Sequence, residues 1–333
     1  MVKLGMIGCG NHSTNSIFRA LQYADAEFAA AADLNADALK RNARLFHIGR
    51  TYDDYREMLD AETLDGVCIV GPPALHYEAA LETMARRIPT FTEKPPAQTL
   101  AQTRELVEAS QKTGTPLMIG FMKRFAANYV RAKALMDADA SGPISHVSVR
   151  YTYWPFQPLH EHLIYMSVHP LDLIRFFGGP LQRIRFERHE RDGEYVYAIA
   201  FRHVSGAVGI LNMGSQTPGV QERVEICGTN AAVYVENLTH IEHLTGGRRK
   251  TFGSMDAWRP DFAIPSGPLH GVDEPLDTLV LQGYAGEMVR FVEAIKTGQD
   301  VSPNIVDGLR AMELVDLLER HDAGEFDLQD DGE

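Results

Sequence analysis

Leu4-Gly-Met-Ile-Gly8-Cys-Gly10-Asn-His-Ser13 decides the fold of this chain. Leu4, Met6 and Ile7 read as a buried strand, and the glycines after them as a tight turn into a helix from about Thr14. Gly8 permits the turn. Gly10 lets the backbone approach a pyrophosphate, which the free N–H groups and dipole of the helix start would hold. G-x-G-x-x-G is the fingerprint of a dinucleotide-binding βαβ unit, and Ser13 stands where its third glycine would be. That position serves close helix–strand packing, so a small serine is tolerated. A second apolar run, 28–32, ends at Asp33, 25 residues after Gly8. An acidic residue there is placed to accept hydrogen bonds from an adenosine ribose. Gly8, Gly10, Asn11, His12, Ser13 and Asp33 are the candidate coenzyme contacts of this unit.

Outward from the turn, short apolar runs alternate with amphipathic ones. Helices are predicted over 35–46 and 53–59, and a strand over 67–70 that ends at Gly71-Pro72-Pro73. A helix carries His76, Ala79, Ala80 and Met84, and a strand over 89–92 breaks at Glu93-Lys94-Pro95-Pro96. Thr99-x-x-Gln102 is a capping box, Gly114 a helix stop, and 117–119 a closing strand. This alternation predicts an α/β doubly wound parallel sheet covered on both faces. The period then changes. Helices over 126–139 and 163–177 accompany strand-like runs at 146–154, 183–189, 195–203, 207–213, 220–227 and 232–235, which predicts a largely antiparallel open sheet with helices on one face. Residues 246–280 are rich in Gly and Pro without clear period, as in a lid or binding loop. Helices over 286–296 and 305–320 finish the pattern. The expected division is a Rossmann domain over 1–121 and an α+β domain over 122–333.

With 44% hydrophobic and 23% charged residues, the 333-residue chain reads as a soluble globular protein with a real core. Its net charge of −13 argues against nonspecific binding to nucleic acid or anionic membranes. A phosphate must then be held by local amides. Cys9, Cys68 and Cys227 lack C-x-x-C spacing and read as reduced thiols of a cytoplasmic protein. The chain starts directly on a strand, and no apolar run approaches ~18 residues, so neither a signal peptide nor a membrane span is expected. The acidic end, 322–333, reads as a solvated tail.

Lys94 is the first candidate for chemistry. It follows a short strand at the carboxyl edge of the expected sheet, where ligands bind in open α/β folds. Two prolines after it stiffen the backbone. An ammonium held there can donate to a substrate hydroxyl and stabilise developing alkoxide charge.

Lys94 lies within a larger pattern. Gly8-Cys-Gly10, Val70-Gly-Pro72-Pro73-x-x-His76, Thr92-Glu93-Lys94-Pro95 and Gly120-Phe-x-x-Arg124-Phe125 occur in the order of the glucose–fructose oxidoreductase/inositol dehydrogenase/MocA (Gfo/Idh/MocA) family. Val168-His169-Pro-Leu-Asp172 and the residues up to Gly178 resemble that family's central helix. Tyr284…Glu287-Met-Val-Arg-Phe291…Ala294-Ile295…Gly298 resembles a segment near its end. The resemblance covers nearly the whole chain, and Glu-Lys-Pro after Pro-Pro-x-x-His is its specific part.

The resemblance implies an NAD(P)-dependent oxidoreductase acting on a sugar, cyclitol or related polyol. It gives Lys94 the reacting hydroxyl and His169 the role of catalytic base. It places Pro72, Pro73, His76 and Glu93 beside the coenzyme, and Arg124 with the substrate. The substrate and oligomer contacts fall to 122–333, and a homo-oligomer, dimer or tetramer, is expected. One position departs. The family often has Asp four residues before the histidine, and here that residue is Tyr165. Tyrosine donates or accepts a hydrogen bond but supplies no negative charge near neutral pH. Glu161, His162 or Asp172 could then orient His169, with Asp172 ranked first by its i,i+3 spacing. Pro170 either starts or kinks that helix.

Asp33 would repel the 2′-phosphate of NADP, so NAD is the expected coenzyme. The histidines lack metal-ligand spacing, and no metal is expected. Trp154, Trp258 and Arg259 are candidates for sugar contact. Two other uses of the scaffold are an NAD-using glycosidase with no net redox change and a nucleotide-sensing binding protein without catalysis.

Overall fold

The computed structural model describes residues 1–153, 158–216, 219–245, 262–264 and 277–328. The chain forms two compact units, residues 1–125 with 283–316 and residues 126–282 with 317–333.

The first unit is built on six parallel strands: β1 Val2–Ile7, β2 Ala26–Ala32, β3 Arg50–Tyr52, β4 Gly66–Ile69, β5 Thr90–Glu93 and β6 Leu117–Gly120. Their order is β3-β2-β1-β4-β5-β6. The chain leaves β1 in one direction and returns in the other, so the crevice beyond the ends of β1 and β4 is the switch point where ligands bind in such folds. The central strands are buried on both faces, β4 throughout its length, as parallel strands between helix layers must be. Strand β3 was not expected, because Arg50-Thr51-Tyr52 is an edge segment with no apolar run.

Local chemistry sets the helix ends. Asn35 Oδ1 accepts the Asp37 and Ala38 N–H groups at 3.1 and 3.0 Å and starts the helix Ala36–Leu45. Thr99 accepts from Gln102, and Gly114, at φ +64°, ends the helix Leu100–Thr113. The helix Tyr284–Thr297 buries Met288, Phe291 and Val292. A Cβ at Gly66 would meet Ile295 at 2.6 Å and Phe291 at 3.3 Å, so glycine lets this helix lie close on β4. Residues 283–316 thereby belong to the first unit, which corrects the expectation of one continuous second domain from 122 to 333.

The second unit is a nine-stranded sheet: β7 Ile144–Thr152, β8 Leu181–Arg191, β9 Glu194–His203, β10 Val208–Gly214, β11 Gln221–Gly228, β12 Ala232–Glu236, β13 His240–Leu244, β14 Phe262–Ile264 and β15 Ala323–Asp327. The order is β14-β13-β12-β11-β7-β10-β9-β8-β15, antiparallel except for β7 beside β10. Strand β9 shows the pleat: Tyr195, Tyr197, Ile199, Phe201 and His203 are buried, while Ala198, Ala200 and Arg202 are exposed. The helices Ala127–Asp137 and Val168–Gly178 pack against this sheet.

The acidic end is a correction. Residues 323–327 pair with β8 instead of trailing into solvent. The partner strand is arginine-rich: Arg183 meets Glu325 and Asp327 at 3.0 Å each, and Arg188 pairs with Asp322. Among the described residues no helix is long and apolar enough to cross a membrane.

Candidate coenzyme and active site

The glycine turn follows β1. Gly8 has φ +93°, and a Cβ there would sit 1.9 Å from the Val70 carbonyl oxygen. No side chain fits that crossing of β1 and the end of β4. Gly10 is exposed, and nothing lies within 4 Å of the position its Cβ would take, which leaves the open backbone a pyrophosphate needs. Ser13 is wholly buried and donates to the Gly8 carbonyl at 2.7 Å, so the third-glycine position is filled by a side chain that closes the turn on itself. The helix expected from Thr14 begins already at Asn11 and passes through a π turn, Ser13–Ile17, before a short α segment.

Asp33, at the end of β2, accepts the Cys9 N–H at 2.5 Å and the Asn35 N–H at 2.7 Å. It therefore fastens the glycine turn as well as presenting a half-exposed carboxylate at the end of β2. Each oxygen keeps a further acceptor site for ribose hydroxyls. Asn42 was missed by sequence reasoning. Wholly buried, it donates to the Cys9 carbonyl at 2.9 Å and accepts from Thr14 Oγ1 at 2.9 Å. The available signal was an asparagine on the apolar face of an amphipathic helix.

The second and third loops are tied together by His76. Pro72 is exposed and Pro73 opens the helix Pro73–Ala85. His76 is buried. Its Nε2 accepts the Gly71 N–H at 3.0 Å and its Nδ1–H donates to the Pro95 carbonyl at 2.8 Å. Burial lowers its pKa to about 4, so the ring is neutral. Both ring nitrogens bond to backbone, so His76 ties the loop at Gly71 to the loop at Pro95.

Glu93 is also buried. Its Oε1 lies 2.9 Å from His12 Nε2, and its Oε2 accepts the Lys94 N–H at 3.1 Å. Burial alone would raise the Glu93 carboxyl, but His12, Lys94 and His76 outweigh it and the net shift is downward. Burial likewise acts to lower the His12 pKa, and Glu93 reverses this to a net rise. The His12 ring also meets Tyr284 edge-on at 5.6 Å. A Cβ at Gly120 would lie 3.0 Å from Glu93 Oε2, so this glycine leaves room for the carboxylate. Lys94 is half-buried. Burial, with Lys123, lowers its pKa, and Glu93 and Glu287 oppose that.

Arg124 is ion-paired within the first unit. Its guanidinium pairs with Asp307 Oδ1 at 2.8 Å, and Asp307 in turn accepts the Asn304 N–H at 3.0 Å. The pair ties the turn Met122–Phe125 to the start of the helix Ile305–Arg320.

In the second unit, Leu159–His162, a π turn Leu163–Ser167 and the helix Val168–Gly178 run on without a break. Pro170 falls within this run and offers no N–H to the turn before it, and the widened turn sits just ahead of it. His169 is buried, with the Tyr151 ring centroid 6.3 Å away. Asp172 is buried one turn further along the same helix. Tyr165 is half-buried within the π turn, and burial and Glu161 raise its pKa. His162 is buried and lowered to about 4 by desolvation, so it stays neutral. His160 faces Glu319 at 3.0 Å. Trp154, Trp258, Arg259 and residues 246–261 and 265–276 of the expected lid lie outside the described residues.

The site residues thus fall in two sets: Gly8 to Lys94 with Arg124 in the first unit, and Tyr165, His169 and Asp172 in the second. Residues 2–121 match the model of the GFO/IDH/MocA oxidoreductase family, NAD-binding Rossmann fold, and residues 129–234 match the GFO/IDH/MocA C-terminal domain. An inositol 2-dehydrogenase of Klebsiella pneumoniae is 29% identical, over 93% of this chain and 90% of its own. A D-apiose dehydrogenase of Paraburkholderia graminis is 26% identical, over 94% and 86%. The crystal structure of a dehydrogenase from Chromobacterium violaceum superposes with a TM-score of 0.86 at 22% identity, covering 96% and 95% of the two chains, and so shares the fold. Two domain models in the family's order, a Rossmann sheet with the 3-2-1-4-5-6 strand order, and Glu-Lys-Pro at its carboxyl rim place this chain in the Gfo/Idh/MocA family.

Proposed function

We propose that this chain is an NAD-dependent dehydrogenase that oxidises a secondary hydroxyl of a sugar, cyclitol or related polyol. The observation that carries this reading is Lys94, a half-buried amine on a proline-flanked turn, on the same sheet rim as the open backbone of Gly10 and the carboxylate of Asp33. Gly8, Gly10, Asn11 and Ser13 shape the pyrophosphate cradle, Asp33 receives the ribose, and Pro72 and Pro73 flank the nicotinamide end. His12, His76 and Glu93 keep those loops in place. Bound NAD supplies the hydride acceptor.

Lys94 donates a hydrogen bond to the reacting oxygen and stabilises the charge that develops there. His169 is assigned the hydroxyl proton as general base. Tyr165 is assigned substrate positioning and Asp172 the orientation of His169. The support for these three is the resemblance of their helix to the family's, together with the burial of His169 and Asp172 on one helix. The substrate and oligomer functions are assigned to residues 122–333, of which 283–316 fold with the coenzyme unit. A homo-oligomer is supported by the exposed Val208 and Ile210 on the open face of β10. A cytoplasmic location is supported by the three cysteines, which form no disulfide.

The test is purified protein incubated with NAD and a panel of polyols and sugars. NADH appearing in step with ketone product is the expected result. Bond cleavage without net NADH would favour the glycosidase reading, and NAD binding without turnover would favour a sensor.

A further inference from the structure

We propose that Asn42 is a positioning residue for the coenzyme: it holds the Cys9 carbonyl from behind and so aims the Gly10 N–H at the pyrophosphate. The proposal rests on the cradle assigned above to the glycine turn, and not on the identity of the substrate.

Asn42 lies on the inward face of the helix Ala36–Leu45, beside the buried Ala38 and Leu39. The apolar stripe of an amphipathic helix asks for an aliphatic residue there, and a buried amide is costly unless its polar atoms are met. Those of Asn42 are met. Nδ2 donates to the Cys9 carbonyl and, one turn back, to the Ala38 carbonyl, at 2.9 Å each. Oδ1 accepts from Thr14 Oγ1 at 2.9 Å. Two carbonyls facing Nδ2 fix which way round the amide sits.

The glycine turn has three carbonyls, and a side chain takes each. Ser13 Oγ donates to Gly8 at 2.7 Å, Asn42 to Cys9, and Thr14 Oγ1 to Gly10 at 2.8 Å. Arg41 Nη2 donates to Thr14 Oγ1 at 3.3 Å, which leaves the hydroxyl proton for Gly10 and Asn42. Ser13 and Thr14 belong to the helix that follows the turn. Asn42 reaches it from a different helix, across 33 residues.

The N–H groups divide in another way. Those of Gly8 and Cys9 pair with the Ala32 carbonyl and Asp33 Oδ2. The Thr14 N–H bonds back to the Gly10 carbonyl at 3.0 Å, so the N–H groups of Gly10, Asn11 and His12 precede the helical ladder. In a planar trans peptide the C=O and the next N–H point in opposite directions. A Cys9 carbonyl held toward Asn42 therefore turns the Gly10 N–H away from the helix Ala36–Leu45. Gly10 is exposed, and nothing lies within 4 Å of the position its Cβ would take. Glycine tolerates either orientation of such a peptide, so the plane needs a restraint, and Asn42 provides it.

The test measures binding of NAD, ADP and adenosine to the full-length protein by calorimetry, with thermal melting as the folding control. ADP carries the pyrophosphate, and adenosine does not. Asn42→Leu is expected to weaken NAD and ADP by about tenfold and to leave adenosine within about twofold. Asn42→Asp, which keeps the volume and cannot donate to the Cys9 carbonyl, should show the same split. Thr14→Val removes the hydroxyl that serves both Gly10 and Asn42, and takes their place where the Asn42 variants do not fold. Folded variants that bind NAD and ADP as the parent does overturn the proposal. A parallel loss of all three ligands also overturns it, because a merely structural residue would act in that way. Gly10→Val tests the cradle itself by filling the open backbone. If NAD affinity survives Gly10→Val, the cradle assignment fails and the proposal with it. If Gly10→Val abolishes binding while Asn42→Leu does not, only the role of Asn42 fails.

Discussion

His12 Nε2 lies 2.9 Å from Glu93 Oε1 and so ties the glycine turn to the Glu-Lys-Pro turn across 81 residues of chain. The tie is charged only when His12 is protonated, and the folded protein raises its pKa. Its contribution is therefore full below the unfolded value of about 6.5 and fades as pH rises through the folded value. The side chain is 45% exposed, so solvent screening limits the gain to about 1 kcal/mol. His12→Ala should lower Tm most in mild acid, with the gap to the parent closing in alkaline buffer. A gap independent of pH would mean that the pair contributes no charge term.

His76 gives the opposite slope. Its folded pKa is depressed to about 4, so the unfolded chain takes up a proton first as pH falls. Stability is full above about pH 6.5 and is lost progressively toward pH 4, by about 3 kcal/mol for this residue. In denaturant melts across that window, His76→Gln should flatten the acid slope while lowering stability at neutral pH, because the Gly71 and Pro95 contacts are disturbed. An unchanged acid slope would assign the loss to other groups.

Asp33 should select NAD. Asp33→Asn removes the charge that repels a 2′-phosphate and weakens the hold on the Cys9 and Asn35 amides. Titration should show NAD bound at least about tenfold more weakly, ~1.4 kcal/mol, and the preference for NAD over NADP narrowed. A parent enzyme that binds NADP more tightly would defeat this account.

Lys94→Met should cut kcat by about 10²–10³, as removal of a donor to a developing oxyanion does, with NAD affinity within a few-fold of the parent. Parallel loss of coenzyme binding would place Lys94 in the cradle. For His169→Asn a loss of about 10²–10⁴ is expected of a missing general base. Tyr165→Phe should cost much less. An active His169→Asn enzyme would move the base elsewhere.

Much of this was legible because period and punctuation agree with the fold. The Gly8 turn, the Thr99 cap and the Gly114 stop each have one local cause, and each formed where the sequence put it. The edge strand β3 was not legible, since Arg-Thr-Tyr has no apolar alternation to read. Strand β15 was hidden because acidic composition suggests solvent, and only the arginines of β8, over a hundred residues earlier, make a strand of it. The π turns at Ser13 and Leu163 are small shifts in hydrogen-bond register that side-chain patterning does not report. Site roles were harder than site positions. His76 and Arg124 stand in the expected motifs, but their partners, Gly71 with Pro95 and Asp307, could not be read from those motifs.

The pairing of β15 with β8 also bears on how the folded protein behaves in a crowded solution. Strand β8 is eleven residues long, and an open edge of that length is a template for another chain's backbone. The last strand covers it and becomes the rim, but this rim is only five residues long, begins Ala323-Gly324 and carries Glu325 and Asp327 outward. A margin this short offers little backbone to another copy, so this strand acts as a guard against edge-to-edge pairing.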